Sequence, residues 1–202
     1  MNMKQWMQQT LAAPAKKAMP VLSFPSTQLL GVTVRQLVAD SDLQARGMKL
    51  VADRVDSAAA VSMMDLSVEA EAFGSAIRFS DDEVPTVIDQ IVETPEQAEA
   101  LQVPAVGAGR TGIYVEAIRK ACTLITDRPV FAGVIGPFSL AGRLIGVSDA
   151  MILCYDEPEM VHTVLQKATD FLIAYIKAYK EAGANGFVMA EPLAGLLAPA
   201  MN

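Results

Sequence analysis

The sequence predicts an α/β fold: the first four βα units, a half barrel, of a TIM-type (βα)8 barrel, with a helix in front. Three observations predict it. Short apolar runs recur at 21–24, 58–64, 129–135 and 187–190. The run at 58–64 lacks in–out alternation, as strands of a parallel sheet covered on both faces do. Helix-patterned segments stand between the runs, and strand–helix–strand repeats close as right-handed parallel crossovers. A complete barrel takes about 250 residues, against 202 here. A four-stranded flavodoxin-like sheet fits the same order, but no fifth strand follows Met189. Residues 1–202 read as a single incomplete domain, the second half of the barrel being absent.

In chain order, residues 3–17 carry Trp6, Met7 and Leu11 on one side and predict the leading helix. Pro20 introduces the first strand, Val21-Leu22-Ser23-Phe24, and Pro25 ends it. Thr33 caps a short helix over 34–39, and Ser41 caps a second, to Asp53, with Leu43, Met48, Leu50 and Val51 in its buried stripe. The second strand, 58–64, ends at Asp65. A short helix over 68–73 follows. Ile77-Arg78-Phe79 and Val87-Ile88 then flank an acidic turn, which predicts a small hairpin. Pro95 begins a helix over 95–101, residues 103–111 are a loop, and 112–125 form a helix burying Val115, Ile118 and Leu124. After the third strand, Pro137 stands in the first turn of the next helix. Ser148 caps another, to Cys154. Asp156-Glu157-Pro158-Glu159 opens a long helix to Ala182, with acids at its start and lysines near its end to suit the dipole. Gly183 and Asn185-Gly186 stop it before the fourth strand.

Composition narrows the function classes. The chain is 52% apolar and 19% charged, with net charge −7. That is the composition of a folded domain and lacks the basic face that nucleic acid requires. No apolar run reaches the ~20 residues of a membrane span, and no leader stands at the N-terminus. Cys122 and Cys154 therefore read as reduced thiols in a cytoplasmic protein.

Barrel chemistry sits past the C-terminal ends of strands. Two of those places carry an acid, Asp65 and Glu191. An acid there faces a partly desolvated cavity and can meet a cationic substrate, or it simply caps the helix that follows. His162, the single histidine, lies inside the long helix with no Cys or acid at zinc spacing, so it reads as structural. Gly107-Ala108-Gly109 reads as a plain loop, lacking the Lys-Ser/Thr ending of a phosphate loop.

Three segments carry a family resemblance. They are Met64-Asp65-Leu66-Ser67-Val68-Glu69-Ala70-Glu71-Ala72-Phe73-Gly74, Gly136-Pro137-Phe138-Ser139-Leu140, and Glu191-Pro192-Leu193-Ala194-Gly195. Together they resemble the uroporphyrinogen decarboxylase superfamily, whose fold is a (βα)8 barrel. The resemblance implies one of two activities: decarboxylation of uroporphyrinogen without a cofactor, or methyl transfer from a methylcobamide protein to a thiol such as coenzyme M, using zinc. It makes Asp65 the residue that binds pyrrole nitrogens in the decarboxylases. The decarboxylase arginines after the first strand are absent from 24–31, its Tyr is Arg143, and its Ser is Pro192. Leaving substrate carboxylates unpaired costs several kcal/mol. The segment 65–74 looks more like the methyltransferase branch.

The resemblance therefore implies the N-terminal half of a corrinoid-dependent methyltransferase, with a corrinoid protein and a small thiol as partners. Asp65 is the expected catalytic residue. Arg143, Glu191, Gly136, Pro137 and Phe138 are expected at the substrate. The zinc ligands of that branch fall outside 1–202, so this piece alone is expected to be inactive. Uroporphyrinogen decarboxylase, which needs no cofactor, is the alternative. A second alternative is a non-catalytic half barrel pairing through its open sheet edges.

Overall fold

The computed structural model describes residues 1–21 and 24–198. Helix α1 spans Met3–Ala12, and Asn2 accepts the Gln5 amide at its start. It is shorter than 3–17 because Pro14 follows; Lys16 Nζ donates to the carbonyls of Thr10, Leu11 and Ala13 at its end. The expected strand over 21–24 includes residues 22 and 23, outside the described residues. Helix α2, Ser26–Leu30, then fills a stretch for which the sequence predicted no element.

Helix α3, Val34–Val38, opens with a capping box of Thr33 and Gln36. Helix α4, Ser41–Arg54, is capped by Asp40 and not by Ser41: the Asp40 carboxylate accepts the amides of Asp42 and Leu43. Its buried stripe runs through Gln44, Ala45, Gly47, Met48 and Ala52, while Leu50 is exposed. Strand β1 is only Ala60–Val61, shorter than 58–64. Helix α5, Val68–Phe73, precedes the expected antiparallel hairpin of β2, Ile77–Arg78, and β3, Thr86–Val87. Helix α6, Pro95–Ala100, carries a second capping box, Thr94 with Gln97.

Helix α7, Thr111–Leu124, leads to β4, Val130–Ile135; Thr111, Tyr114, Ala117, Ile118 and Ala121 are its buried residues, and Leu124 is exposed. Helix α8, Pro137–Ile145, bends by 100° into α9, Val147–Asp156, which starts before Ser148 and runs past Cys154. The long helix α10, Pro158–Glu181, begins at the predicted proline, and β5, Gly186–Ala190, follows. A 3-10 turn at Ala194–Leu196 comes last among the described residues.

The main sheet has order β1-β4-β5 and every pairing is parallel. Its register sets Val61 against Phe131 and Ile135 against Ala190. The described residues thus show three of the four expected parallel strands. The core lies between β4 and its covering helices. Phe171, Tyr175 and Tyr179 of α10 stack there in one row, each burial contributing roughly 2 kcal/mol. Both outward-facing apolar groups of β5, Phe187 and Met189, stay exposed. No single helix among the described residues is long and apolar enough to cross a membrane.

Candidate active site

Several buried polar groups, among them Asp65, Ser67, Glu69, Arg110 and Ser139, collect past the C-terminal ends of the three parallel strands. The first reason is the brevity of β1. After Val61 the chain leaves the sheet, yet β4 still presents two amides on that side. Ser62 Oγ accepts from Gly133 N–H at 2.8 Å, and Glu69 Oε1, reaching in from α5, accepts from Ile135 N–H at 3.1 Å. Two side chains thereby continue a ladder that the backbone has abandoned, as buried amides require.

Glu69 is sealed, 1% exposed, and its second oxygen has no hydrogen-bond partner. Burial pushes its carboxyl up to about 7; the Ile135 amide and Arg143 pull it down, and the Asp65 carboxylate adds to the rise.

Asp65 sits at the tip past β1, as the sequence predicted, and is also buried. Its Oδ1 accepts from the Ser67 amide at 3.1 Å and the Ser67 hydroxyl at 2.6 Å. Its Oδ2 accepts from Arg110 Nη1 and from the Tyr114 hydroxyl at 2.8 Å. Four donors fill a carboxylate's acceptor capacity. Arg110 also donates from Nε to Glu71 at 2.6 Å and from Nη2 to Ser67 Oγ at 3.1 Å. The Phe79 ring, just past β2, covers it at 4.8 Å. Burial pulls the Arg110 guanidinium down, but Asp65, Tyr114 and Glu71 together leave it raised. Asp65 therefore caps the Ser67 amide before α5, the simpler of the two roles foreseen for it, and the cation it meets is Arg110 of the chain itself.

A second cluster joins the tips of β4 and β5. Glu191 Oε2 accepts the Phe138 amide and Oε1 the Ser139 amide, both at 2.9 Å, and Ser139 Oγ also donates to Oε1. The carboxylate so fills the N-terminus of α8, where the helix dipole favours an anion. Gly136 is required beneath it, because a Cβ there would collide with the Glu191 carboxylate. Pro137 takes the position whose N–H has no partner inside the helix. Phe138 is buried.

Arg143, on the same helix, donates from Nε to the Leu66 carbonyl at 2.6 Å, next to Asp65. Burial lowers its guanidinium against the pull of Glu69 and Asp65. The predicted residues therefore fall into two groups, Asp65 with Arg143 and Glu191 with Gly136, Pro137 and Phe138. The sequence missed Arg110, Tyr114 and Glu69. In the loop over 103–111 the Gly107 amide donates to Thr111 Oγ1 at 2.9 Å.

The donors present do not fit zinc. Among the described residues no three His, Cys, Asp or Glu side chains could hold a metal ion. His162 and Cys154 line a surface hollow with Pro158 and Val161, and Cys122 is half-buried.

The profile of the uroporphyrinogen decarboxylase (URO-D) family matches residues 4–201. Methylcobamide:CoM methyltransferase MtbA of Methanosarcina acetivorans is 35% identical over 133 residues, 64% of this chain and 39% of that protein. Uroporphyrinogen decarboxylase of Myxococcus xanthus is 32% identical over 165 residues, 78% of this chain and 47% of that protein. A solved methyltransferase from Methanosarcina mazei superposes with a TM-score of 0.84 at 25% identity, covering 98% of this chain and 62% of that one. The chain spans less than half the length of these two curated relatives.

Proposed function

The chain belongs to the uroporphyrinogen decarboxylase family, and from that premise we propose that it forms one wall of a corrinoid-dependent methyltransferase site, which passes a methyl group from a methylcobamide to a thiol. In this reading its parallel strands are staves of a (βα)8 barrel, and the tips described above face the substrates. The observation that carries it is the state of Asp65. Four internal donors occupy its carboxylate, so none of its acceptor sites is free for pyrrole N–H groups. The segment after residue 24 also folds as α2, with no arginine between 24 and 31 to meet substrate carboxylates. The resemblance to MtbA and to the solved methyltransferase points the same way.

Asp65 then acts as a positioning residue, holding Arg110 and the start of α5. Arg143 stands on the substrate side. Glu191, with Gly136, Pro137 and Phe138, shapes the wall between the second pair of strands. The thiol gives up its proton to solvent, the thiolate lone pair forms the sulfur–carbon bond, and the electron pair of the broken carbon–donor bond leaves with the donor. Zinc belongs to this proposal only for a protein with a fuller donor set. A corrinoid protein and a small thiol are the partners, and the cytoplasm, with Cys122 and Cys154 reduced, is the setting.

The second reading, uroporphyrinogen decarboxylase, is favoured by the longer match to the Myxococcus enzyme. One pair of assays separates the two: methyl transfer from methylcobalamin to a thiol, and decarboxylation of uroporphyrinogen. Each is run on this chain and on a reading frame extended to the length of its relatives. Transfer without decarboxylation in the extended protein is expected. Decarboxylation without transfer overturns the reading.

A further inference from the structure

We propose that the hairpin of β2 and β3 is a lid over Arg110, latched to the start of α3 by Arg35 and able to lift as a unit. The proposal goes beyond the methyltransferase reading and holds for either reaction of the family. The chain is anchored on both sides of the hairpin. Before it, Ser75 is buried and its amide donates to the Ala70 carbonyl at 3.1 Å. After it, the amides of Ile91 and Val92 donate to the Leu144 carbonyl at 2.9 and 3.1 Å. Between these anchors the hairpin is tied to itself. Its ladder pairs Ile77 with Val87 and Arg78 with Thr86. The Asp89 carboxylate accepts the Ala76 amide on both oxygens at 3.0 Å, and the Ile88 amide donates to the Ala76 carbonyl at 3.1 Å. The two legs are thus joined at their base and move together. A two-stranded hairpin is marginal by itself, so its position depends on what it docks against.

Among the described residues, the hydrogen bonds from 76–89 to the rest of the molecule reach the start of α3. The Val34 amide donates to the Asp81 carbonyl and Arg35 Nη2 to the Phe79 carbonyl, both at 2.8 Å. Arg35 Nε also faces Asp81 Oδ1 at 3.5 Å, an exposed ion pair of small worth in water. Phe79 supplies the apolar contact. It is partly buried against the core, and its ring lies 4.8 Å from the Arg110 guanidinium and 5.9 Å from that of Arg35. Val84 and Ile88 stay exposed. Lifting the hairpin therefore breaks few bonds, the condition for a local opening far below the cost of unfolding. It also takes the Phe79 ring off Arg110. Closed, the hairpin helps to keep water from the pairing of Arg110 with Asp65 and Glu71, as lids over strand tips do.

The test is hydrogen exchange of the isotope-labelled chain, read at the Val34 amide, which the lid covers, at the Arg110 Nε–H, and at the Val134 amide of β4 as the reference for global unfolding. In the unaltered chain Val34 and Arg110 Nε–H are expected to exchange well ahead of Val134. Arg35→Ala should speed both by the same factor, about tenfold, the loss of a charge-assisted hydrogen bond, and leave Val134 unchanged. Asp81→Asn, which keeps the backbone acceptor and removes the ion pair, should speed both by about twofold. Exchange of Val34 and Arg110 no faster than Val134 overturns the lid, because the hairpin then opens only with the whole molecule. Unchanged rates in a folded Arg35→Ala overturn the latch. A faster Val34 beside an unchanged Arg110 also overturns the proposal, since Arg35 then only steadies the start of α3. The measurement on the unaltered chain decides even where a variant does not fold.

Discussion

Two buried carboxyl groups lie four residues apart at the same end of the sheet and live in opposite electrostatic conditions. Asp65 has a guanidinium, a phenol, a hydroxyl and an amide on its two oxygens. Glu69 has one amide on one oxygen and nothing on the other. Burial is nearly equal, so depth alone does not decide what a buried acid does. The number of donors does. A saturated carboxylate is an anchor, and disturbing it strands other charges. An under-supplied one is easily neutralised and makes the molecule sensitive to pH.

The contrast is broken most violently at Arg110. Arg110→Met strands Asp65 and Glu71, and loss of one partner of a buried pair costs about 3–5 kcal/mol; denaturant unfolding measures it. Next comes Glu69. Its folded pKa of about 7 lies above its ordinary 4.5. The folded state therefore holds a proton that the unfolded chain has released. The stability this gives is fully present below pH 4.5 and is lost as pH rises through about 7. The loss is about 3 kcal/mol. Glu69→Gln should flatten that dependence, read as unfolding midpoints from pH 4 to 8.

Asp65→Asn should cost about 2 kcal/mol at any pH in that range, because the amide nitrogen faces the Arg110 and Tyr114 donors. The same unfolding series, run at the two ends of the range, checks it. Smallest is Glu191→Ala, which uncaps α8 and costs about 1 kcal/mol, visible as faster amide exchange at Phe138 and Ser139. If Glu69→Gln left the pH dependence intact while Asp65→Asn removed it, the two residues would have exchanged roles and the comparison would fail.

Much of this was legible. Short apolar runs marked β4 and β5, Thr33 and Pro137 marked helix starts, and the rule of strand tips selected Asp65 and Glu191. What escaped depended on distant partners or on small local choices. Arg110 lies in a loop, and its partner Asp65 is 45 residues away; no local pattern announces the pair. Glu69 looked like an ordinary acid in a short helix, since its task, the Ile135 amide, exists only once β1 has ended early. The α4 cap moved by one residue because Asp40 and Ser41 are both good caps, and the chain used the carboxylate that reaches two amides. Helix α2 is too short, at five residues, to show periodicity.

The Glu191 clasp has a bearing on the order of assembly. Two amides at the start of α8 find their acceptor 53 and 52 residues further along. During synthesis that helix waits, its first turn open to water, until the next strand has been made and laid beside its neighbour. Docking of β5 and completion of α8 are thus one event, and a ribosome-stalled chain ending before Glu191 should carry a frayed α8 beside an otherwise formed β4.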